Sequence, residues 1–260
     1  MSTYSDLLKA DLIDLSKNHS KRHNLSIKVE RPTAIIFEKI ASSFNTDSFL
    51  SIKSNKEWAI RLTKEHSQVK DTKEMQSSNS SDALLMNIFC HPKIRTWKGV
   101  CDVLGIKSIL DIQFGINPTY LLKEGKPEGT PTEIDMVIND KIYCEAKLTE
   151  KDFTEVQKDK MEKYDSFRKV FDIDRLPMLG DKYLHYQLLR NILAIEADDK
   201  RFLLLCDARR PDLIHHLFDV VSCIKDIELR KRCSFICWQD IARKCGSDLK
   251  EFLVSKYGLD

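Results

Sequence analysis

The sequence predicts a mixed α/β fold, and three of its features support that prediction. Strand-like apolar segments alternate with helical ones in the order helix, strand, strand, strand, helix, strand. The chain has 260 residues, 42% of them apolar, which is enough for one elaborated domain with a real core. It carries 42 basic and 40 acidic residues, which excludes an acidic disordered chain or a strongly basic tail. Any contact with phosphate must therefore be made by a local group of basic residues.

The first 78 residues are predicted to form a polar, helical extension. Helix-spaced apolar residues occur at 4–15 and 33–44, whereas residues 64–80 contain almost no large hydrophobic residue and indicate a linker or surface segment. Capping residues then begin a short apolar helix at 83–90, which a proline ends. We therefore divide the chain into residues 1–78 and a domain of residues 79–260.

The elements after that helix are predicted from their apolar spacing and turn residues. Strands are expected at 108–116, 133–138 and 142–148, followed by a charged helix at 152–170 and a mostly apolar helix at 181–197. A Gly/Pro-rich stretch at 125–131 separates the first two strands. Further strands are expected at 202–206 and 234–238, so helices flank a mixed sheet.

We expect a protein of the cytoplasm. The longest apolar stretch, residues 84–90, is far shorter than the ~20 residues of a membrane span. Three aspartates lie among the first twenty residues, where a signal peptide would be apolar. The eight cysteines form no CxxC pair and suit buried reduced thiols, although the spacing of Cys233, Cys237 and Cys245 leaves zinc as a weaker alternative.

The most informative segment is a predicted hairpin that carries two acidic residues. A two-residue turn at 139–140 would set Asp135 opposite Cys144, whereas a three-residue turn at 139–141 sets Asp135 opposite Glu145. Only the three-residue turn keeps polar and apolar side chains on separate faces. The sequence therefore predicts that these two carboxylates face each other.

Facing carboxylates predict a bound cation. Their Cβ atoms would be about 5 Å apart, and this like-charge pair is unfavourable unless a cation lies between them. Hard oxygen donors suit Mg²⁺ or Mn²⁺. Lys147 shares the face of Glu145 and could stabilise developing charge, while Glu133 shares the face of Asp135 and is a candidate outer ligand. The chemistry that this arrangement predicts is phosphodiester hydrolysis.

Asp135, nine intervening residues and then Glu145-Ala146-Lys147 resemble the D…ExK signature of the PD-(D/E)xK nuclease superfamily. The resemblance implies a restriction-endonuclease-like core, made of a helix, a three-strand meander, a helix and a strand, within residues 79–260. Residues 80–87 and 186–191 are similar to a restriction-like branch of bacterial proteins. The proline that begins the signature is absent, because Ile134 precedes Asp135.

The resemblance also implies an activity and a set of site residues. It implies a Mg²⁺- or Mn²⁺-dependent endodeoxyribonuclease that acts on DNA in preference to RNA, with a homodimer as one permitted assembly. The implied metal ligands are Asp135, Glu145, the carbonyl of Ala146 and Asp82, and the implied catalytic residues add Lys147 and Gln187. On the implied fold, Arg190 and Asn191 of the helix at 181–197 are candidate nucleic-acid-binding residues. Lys151 follows the motif and Arg209 follows the last core strand, so both are candidates for contact with a nucleic-acid backbone. An ordinary solvated surface is the alternative for all four residues.

Three alternatives stay open at this point. Asp82 is equally well explained as a helix-capping residue. A protein of the same fold could have lost its activity and serve as a nucleic-acid-binding or protein-interaction module. In an unrelated α+β protein, Glu145 and Lys147 would simply be exposed.

Overall fold

The computed structural model describes residues 2–117, 122–123, 126–127, 133–196 and 199–260. The helices are α1 (Tyr4–His23), α2 (Thr46–Ser54), α3 (Lys56–Arg61), α4 (Ser81–Phe89), α5 (Lys98–Leu104), α6 (Lys158–Met161), α7 (Phe167–Val170), α8 (Tyr186–Leu193), α9 (Pro211–Val221), α10 (Ile227–Lys231), α11 (Trp238–Ala242) and α12 (Ser247–Tyr257). Short 3₁₀ helices lie at Ile40–Ser43, Glu74–Gln76, Ile94–Thr96 and Ile173–Arg175. The strands are β1 (Ile27–Glu30), β2 (Ile35–Phe37), β3 (Ile112–Ile116), β4 (Leu122–Lys123), β5 (Lys126–Pro127), β6 (Ile134–Ile138), β7 (Ile142–Ala146), β8 (Glu155–Gln157), β9 (Met178–Leu179), β10 (Lys182–Leu184), β11 (Arg201–Cys206) and β12 (Cys233–Cys237).

A five-stranded mixed sheet forms the centre of the protein, in the order β12-β11-β7-β6-β3. The strands β3, β6 and β7 form an antiparallel meander, and β7, β11 and β12 run parallel. A parallel pair needs a long crossover, and helices lie in both crossovers, from β7 to β11 and from β11 to β12. The protein therefore has the predicted mixed α/β fold.

The β6–β7 hairpin has the predicted three-residue turn. The strands pair Ile138 with Ile142, and the N–H of Lys141 donates to the carbonyl of Ile138. Asn139 and Asp140 both have positive φ, which suits these residue types in a tight turn. The predicted register is confirmed.

Two apolar layers enclose the sheet. One packs α7, α8 and α9 against alternate residues of β7 and β11, such as Tyr143 and Leu204. The other packs α1, α4, α5, α11 and α12 against the intervening residues, such as Cys144 and Leu205.

All eight cysteines have free thiols. None of the described helices is long and apolar enough to span a bilayer.

Four predicted segments differ from the structure. Residues 33–44 form β2 and a 3₁₀ helix, because the apolar residues of β2 are buried on both faces and pair with β1. Residues 152–170 form β8 and two single-turn helices, and residues 182–184 form a strand, because β8 and β10 pair in a small separate sheet. Residues 64–80 are no linker, since Met75 and Ser78 are buried. The Gly/Pro-rich stretch at 125–131 lies outside the described residues except at 126–127.

The predicted extension of residues 1–78 contacts the rest of the chain at several places. Leu8 and Leu12 of α1 are buried in the core layer that contains α12, and His19 lies 3.0 Å from the hydroxyl of Ser255. Trp58 packs edge-on against Phe114 of β3. The domain boundary at residue 78 stays a prediction.

Lys256 of α12 is fully buried without a carboxylate contact among the described residues. Its Nζ donates to the carbonyl of Ser43 at 2.7 Å and to the hydroxyl of Tyr257 at 2.9 Å, and it lies 5.3 Å from the ring centre of Phe37 and 5.8 Å from that of Phe252. Burial lowers its pKa well below 10.5. Aromatic faces favour the charged form, but full desolvation disfavours it and dominates here.

We expect the free energy of unfolding to depend on pH through Lys256. Between its lowered folded-state pKa and the unfolded value of 10.5, the unfolded chain binds a proton that the folded chain does not. Stability should therefore rise with pH in this window, by up to about 1.4 kcal/mol per pH unit relative to Lys256→Met. Urea unfolding of both proteins at pH 7 and pH 9.5 measures this, and a difference that does not change with pH would contradict it.

Candidate functional site

Asp135 and Glu145 lie side by side on β6 and β7, on the face of the sheet that α8 covers. The register of the β6–β7 ladder, continued by one residue, sets them opposite each other. The β3–β6 register places Gly115 on the other side of Asp135. Glu145 is only 2% exposed and Asp135 is partly buried. Two carboxylates thus share a largely buried position on adjacent strands.

The environment of Asp135 disfavours the charged form of its carboxyl group. Burial raises the pKa of Asp135 well above 3.8, and the carboxylates of Glu145 and Asp82 raise it further. Two effects lower the pKa of Asp135 without cancelling this increase: the nearby Lys147 and a 2.7 Å hydrogen bond from the N–H of Ala146 to Asp135 Oδ2. The local protein groups therefore do not fully compensate the charge of this carboxylate.

Lys147 lies next to Glu145, as the alternation of side chains predicts. Its Nζ is 2.9 Å from Glu145 Oε1, and the side chain is buried. Burial favours the neutral amine, but the carboxylates of Glu145, Glu150 and Asp135 outweigh burial and raise the pKa of Lys147. The lysine is therefore held as an ammonium ion inside the site.

Two side chains of α8 complete this part of the site. The Nζ of Lys147 donates to Gln187 Oε1 at 3.0 Å, and Asn191 Nδ2 donates to Glu145 Oε2 at 2.7 Å. Gln187 and Asn191 are one helical turn apart, so they project from the same face of α8. The structure thus brings together four of the predicted site residues through direct hydrogen bonds and an ion pair.

Asp82 enters the site from the first turn of α4. Ser80, not Asp82, caps this helix, since its hydroxyl accepts from the N–H of Ala83. Arg61 Nη2 lies 2.9 Å from Asp82 Oδ2, while Arg61 Nη1 lies 2.6 Å from Glu133 Oε1. Burial raises the pKa of Asp82 in spite of this arginine. Glu133, the predicted outer ligand, is thus an ion-pair partner of Arg61.

Asp82, Asp135 and Glu145 do not form a compact group of three oxygen ligands. Among the described residues, the only three carboxylate, histidine or cysteine ligand atoms that lie within 4.8 Å of one another belong to Asp47, His91 and Asp248. The carbonyl of Ala146 stays a predicted ligand. Of the predicted metal ligands, the strand register therefore supports the facing pair Asp135 and Glu145.

The Asp47–His91–Asp248 group is better explained as a hydrogen-bonded contact than as a metal site. His91 Nδ1 accepts from the backbone N–H of Lys93, so the proton of the neutral ring lies on Nε2, which is 3.3 Å from Asp248 Oδ2. The ring nitrogen that faces the carboxylates is thus a donor, whereas metal-binding histidines usually donate from the other nitrogen.

The zinc alternative finds no support in the described part of the chain. The thiols of Cys233 and Cys245 donate to backbone carbonyls one helical turn earlier, at 3.4 Å each. Together with Cys237 they form no shared ligand group there.

The four residues assigned to nucleic acid have different surroundings. Asn191 is 1% exposed and donates to Glu145, and its contact with nucleic acid stays a prediction. Arg209 is bound to Asp207 and to the carbonyl of Tyr257. Lys151 is exposed, and the Arg190 guanidinium lies over the Tyr186 ring. For Lys151, Arg190 and Arg209, nucleic-acid contact stays a prediction.

Sequence reasoning missed the structural roles of three residues near the site. Glu150 follows the motif closely, so its acidity was a usable signal; its Oε2 accepts from the N–H of Leu148 at 2.6 Å. Arg210 is fully buried and donates to the carbonyls of Leu148 and Glu150, which fixes the loop after β7. Arg61 gave no signal, because it is 74 residues from Asp135 in the sequence.

Gly115 makes room for Arg61 beside Asp135. Its φ is +64°, and a Cβ there would lie 2.3 Å from Arg61 Nη1. We expect Gly115→Ala to lower the free energy of unfolding by about 1–2 kcal/mol through backbone strain, and by at least about 1 kcal/mol more because the arginine must leave its carboxylates.

Gly180→Ala is the matched control for this measurement. Gly180 also has a positive φ, of +57°, but nothing lies within 4 Å of a Cβ built on it. Urea unfolding should show a smaller loss for Gly180→Ala, and Arg61→Gln should remove most of the difference between the two alanine variants. Equal losses would mean that Arg61 needs no space at Gly115.

Comparison with known proteins identifies the family of the chain. No curated protein and no solved structure matches it. Residues 16–258 match a family model, REase-ARP, whose description reads "Restriction Endonuclease associating with ARP". The match covers nearly the whole chain and crosses the predicted boundary at residue 78. The protein therefore belongs to the REase-ARP family of restriction-endonuclease-like proteins.

Proposed function

We propose that this protein is a metal-dependent nuclease that hydrolyses phosphodiester bonds, in DNA in preference to RNA. The observation that carries the proposal is the convergence of Asp135, Glu145 and Lys147 from two adjacent strands, in a chain of a restriction-endonuclease-like family. The element order α4, β3, β6, β7, α8 and β11 is compatible with the proposed helix, meander, helix and strand core.

The residues at the site fit a divalent ion. Asp135 and Glu145 offer hard carboxylate oxygens, which suit Mg²⁺ or Mn²⁺, and the carbonyl of Ala146 is proposed as a further ligand. The raised pKa of Asp135 reflects burial and like charges that a divalent cation would relieve. When bound, such an ion would polarise a phosphoryl oxygen and promote deprotonation of the attacking water.

The side chains of this site have complementary roles in the proposed reaction. Lys147, held as an ammonium ion, would stabilise negative charge that develops on the phosphate oxygens. Gln187 fixes the position of that ammonium, and Asn191 fixes the Glu145 carboxylate. Because these groups are buried or partly buried and already hydrogen-bonded, little reorganisation is needed when the substrate binds.

Cleavage assays test the proposal. Plasmid, linear duplex, single-stranded DNA and RNA should be incubated with the protein and Mg²⁺ or Mn²⁺. We expect cleavage of DNA that a chelator abolishes, and losses of about 100-fold or more for Asp135→Asn, Glu145→Gln and Lys147→Met, because each removes a charged group at the reacting phosphate.

The control is Glu228→Gln, which removes an exposed carboxylate of α10 that is paired only with Lys231 in the described structure. It should cleave like the wild type. Undiminished cleavage by Glu145→Gln would exclude the proposed site. Binding of DNA without cleavage by the wild type would instead favour an inactive binding module of the same fold.

A further inference from the structure

We propose that Arg61 withholds the Asp82 carboxylate from the metal ion and thereby sets the metal affinity of the site. This inference rests on the proposed function, because it concerns the ion that Asp135 and Glu145 would hold. Arg61 acts through Asp82 and is a positioning residue. It would mean that residues 1–78 regulate a site whose other members lie in residues 79–260.

The contacts of Arg61 are directed at the acidic site. One guanidinium nitrogen binds Asp82 and another binds Glu133, and the arginine side chain is only 13% exposed. Lys64 is a weaker partner of Asp82, since its Nζ is 3.8 Å away and is closer to Glu74, at 2.9 Å. Arg61 is therefore the principal cation of Asp82.

The structure around Arg61 keeps the guanidinium in this place. Gly115 leaves the space that the guanidinium fills, next to the position of Asp135 in the sheet. The helix that carries Arg61 is tied to β3, because the indole N–H of Trp58 donates to the carbonyl of Ile112 at 3.3 Å. An arginine held from both sides is a fixed part of the site.

The position of the third carboxylate agrees with this role. Asp82 is close enough to Asp135 to raise its pKa, yet Asp82, Asp135 and Glu145 do not bring three ligand oxygens within 4.8 Å of one another. A divalent ion gains affinity with each carboxylate that joins its coordination sphere. The Arg61 ion pair would have to break before Asp82 could join, so the arginine and the ion compete for one carboxylate.

Mn²⁺ binding tests this competition without any measurement of cleavage. The signal of free Mn²⁺ in electron paramagnetic resonance gives the affinity of the full-length wild type and of Arg61→Gln, Asp82→Asn and the double variant. We expect Arg61→Gln to bind Mn²⁺ about 10-fold more tightly than the wild type. In the Asp82→Asn background, Arg61→Gln should have no such effect, and Arg61→Lys should stay close to the wild type.

Arg243→Gln is the matched control. It removes the same charge from an exposed arginine, whose Nη1 lies 2.9 Å from Asp240, and it should leave Mn²⁺ affinity unchanged. If Arg61→Gln fails to fold by circular dichroism, Glu133→Gln provides the second test, because it removes one anchor of Arg61 at a side chain that is 43% exposed. It should also tighten Mn²⁺ binding.

Several outcomes would overturn the inference. One is equal Mn²⁺ affinity of the wild type and Arg61→Gln. Another is that Arg61→Gln still tightens Mn²⁺ binding in the Asp82→Asn background, which would show that the arginine acts by its charge alone. In both cases the wild type still binds Mn²⁺, so the proposed nuclease function would survive. A wild-type protein that binds no Mn²⁺ would overturn the inference together with the metal-dependent function.

Discussion

The like-charge pair on adjacent strands is the constraint around which the site is organised. The three-residue turn at 139–141 places the apolar residues of β6 and β7 in the core and, by the same register, sets Asp135 opposite Glu145. Burial makes that arrangement unfavourable unless positive charge is near. The Lys147 cation and the N–H donor of Ala146 partly compensate the negative charge that the sheet register brings together.

The surrounding elements hold the site in a defined geometry. The helix α8 supplies an amide donor to Glu145 and an amide acceptor to Lys147. The loop after β7 is fixed by Arg210, whose buried guanidinium binds its backbone carbonyls. Side chains that are bonded on both sides keep their rotamers, and such preorganisation is what a catalytic centre for charge stabilisation requires.

Residues 1–78 contribute polar contacts to the structure as well as apolar ones. Arg61 of α3 binds Asp82 at the site, and the carbonyl of Ser43 accepts from the buried Lys256 of α12. Both are contacts between segments that are far apart in the sequence. They show that the first part of the chain, whatever its domain status, takes part in the electrostatics of the remainder.

The sequence by itself determined the α/β class, the register of the β6–β7 hairpin and the convergence of Asp135, Glu145 and Lys147, because these follow from alternation and apolar burial over short distances. It failed at residues 33–44, where β2 pairs with the neighbouring strand β1, and at 152–170, where β8 pairs with the later strand β10, because strand pairing overrides local helix-like spacing. Only the tertiary structure decided that Asn191 faces Glu145 and that Arg61 binds Asp82. Those contacts join segments 46 and 21 residues apart, and no local periodicity records which surfaces of two such elements will meet.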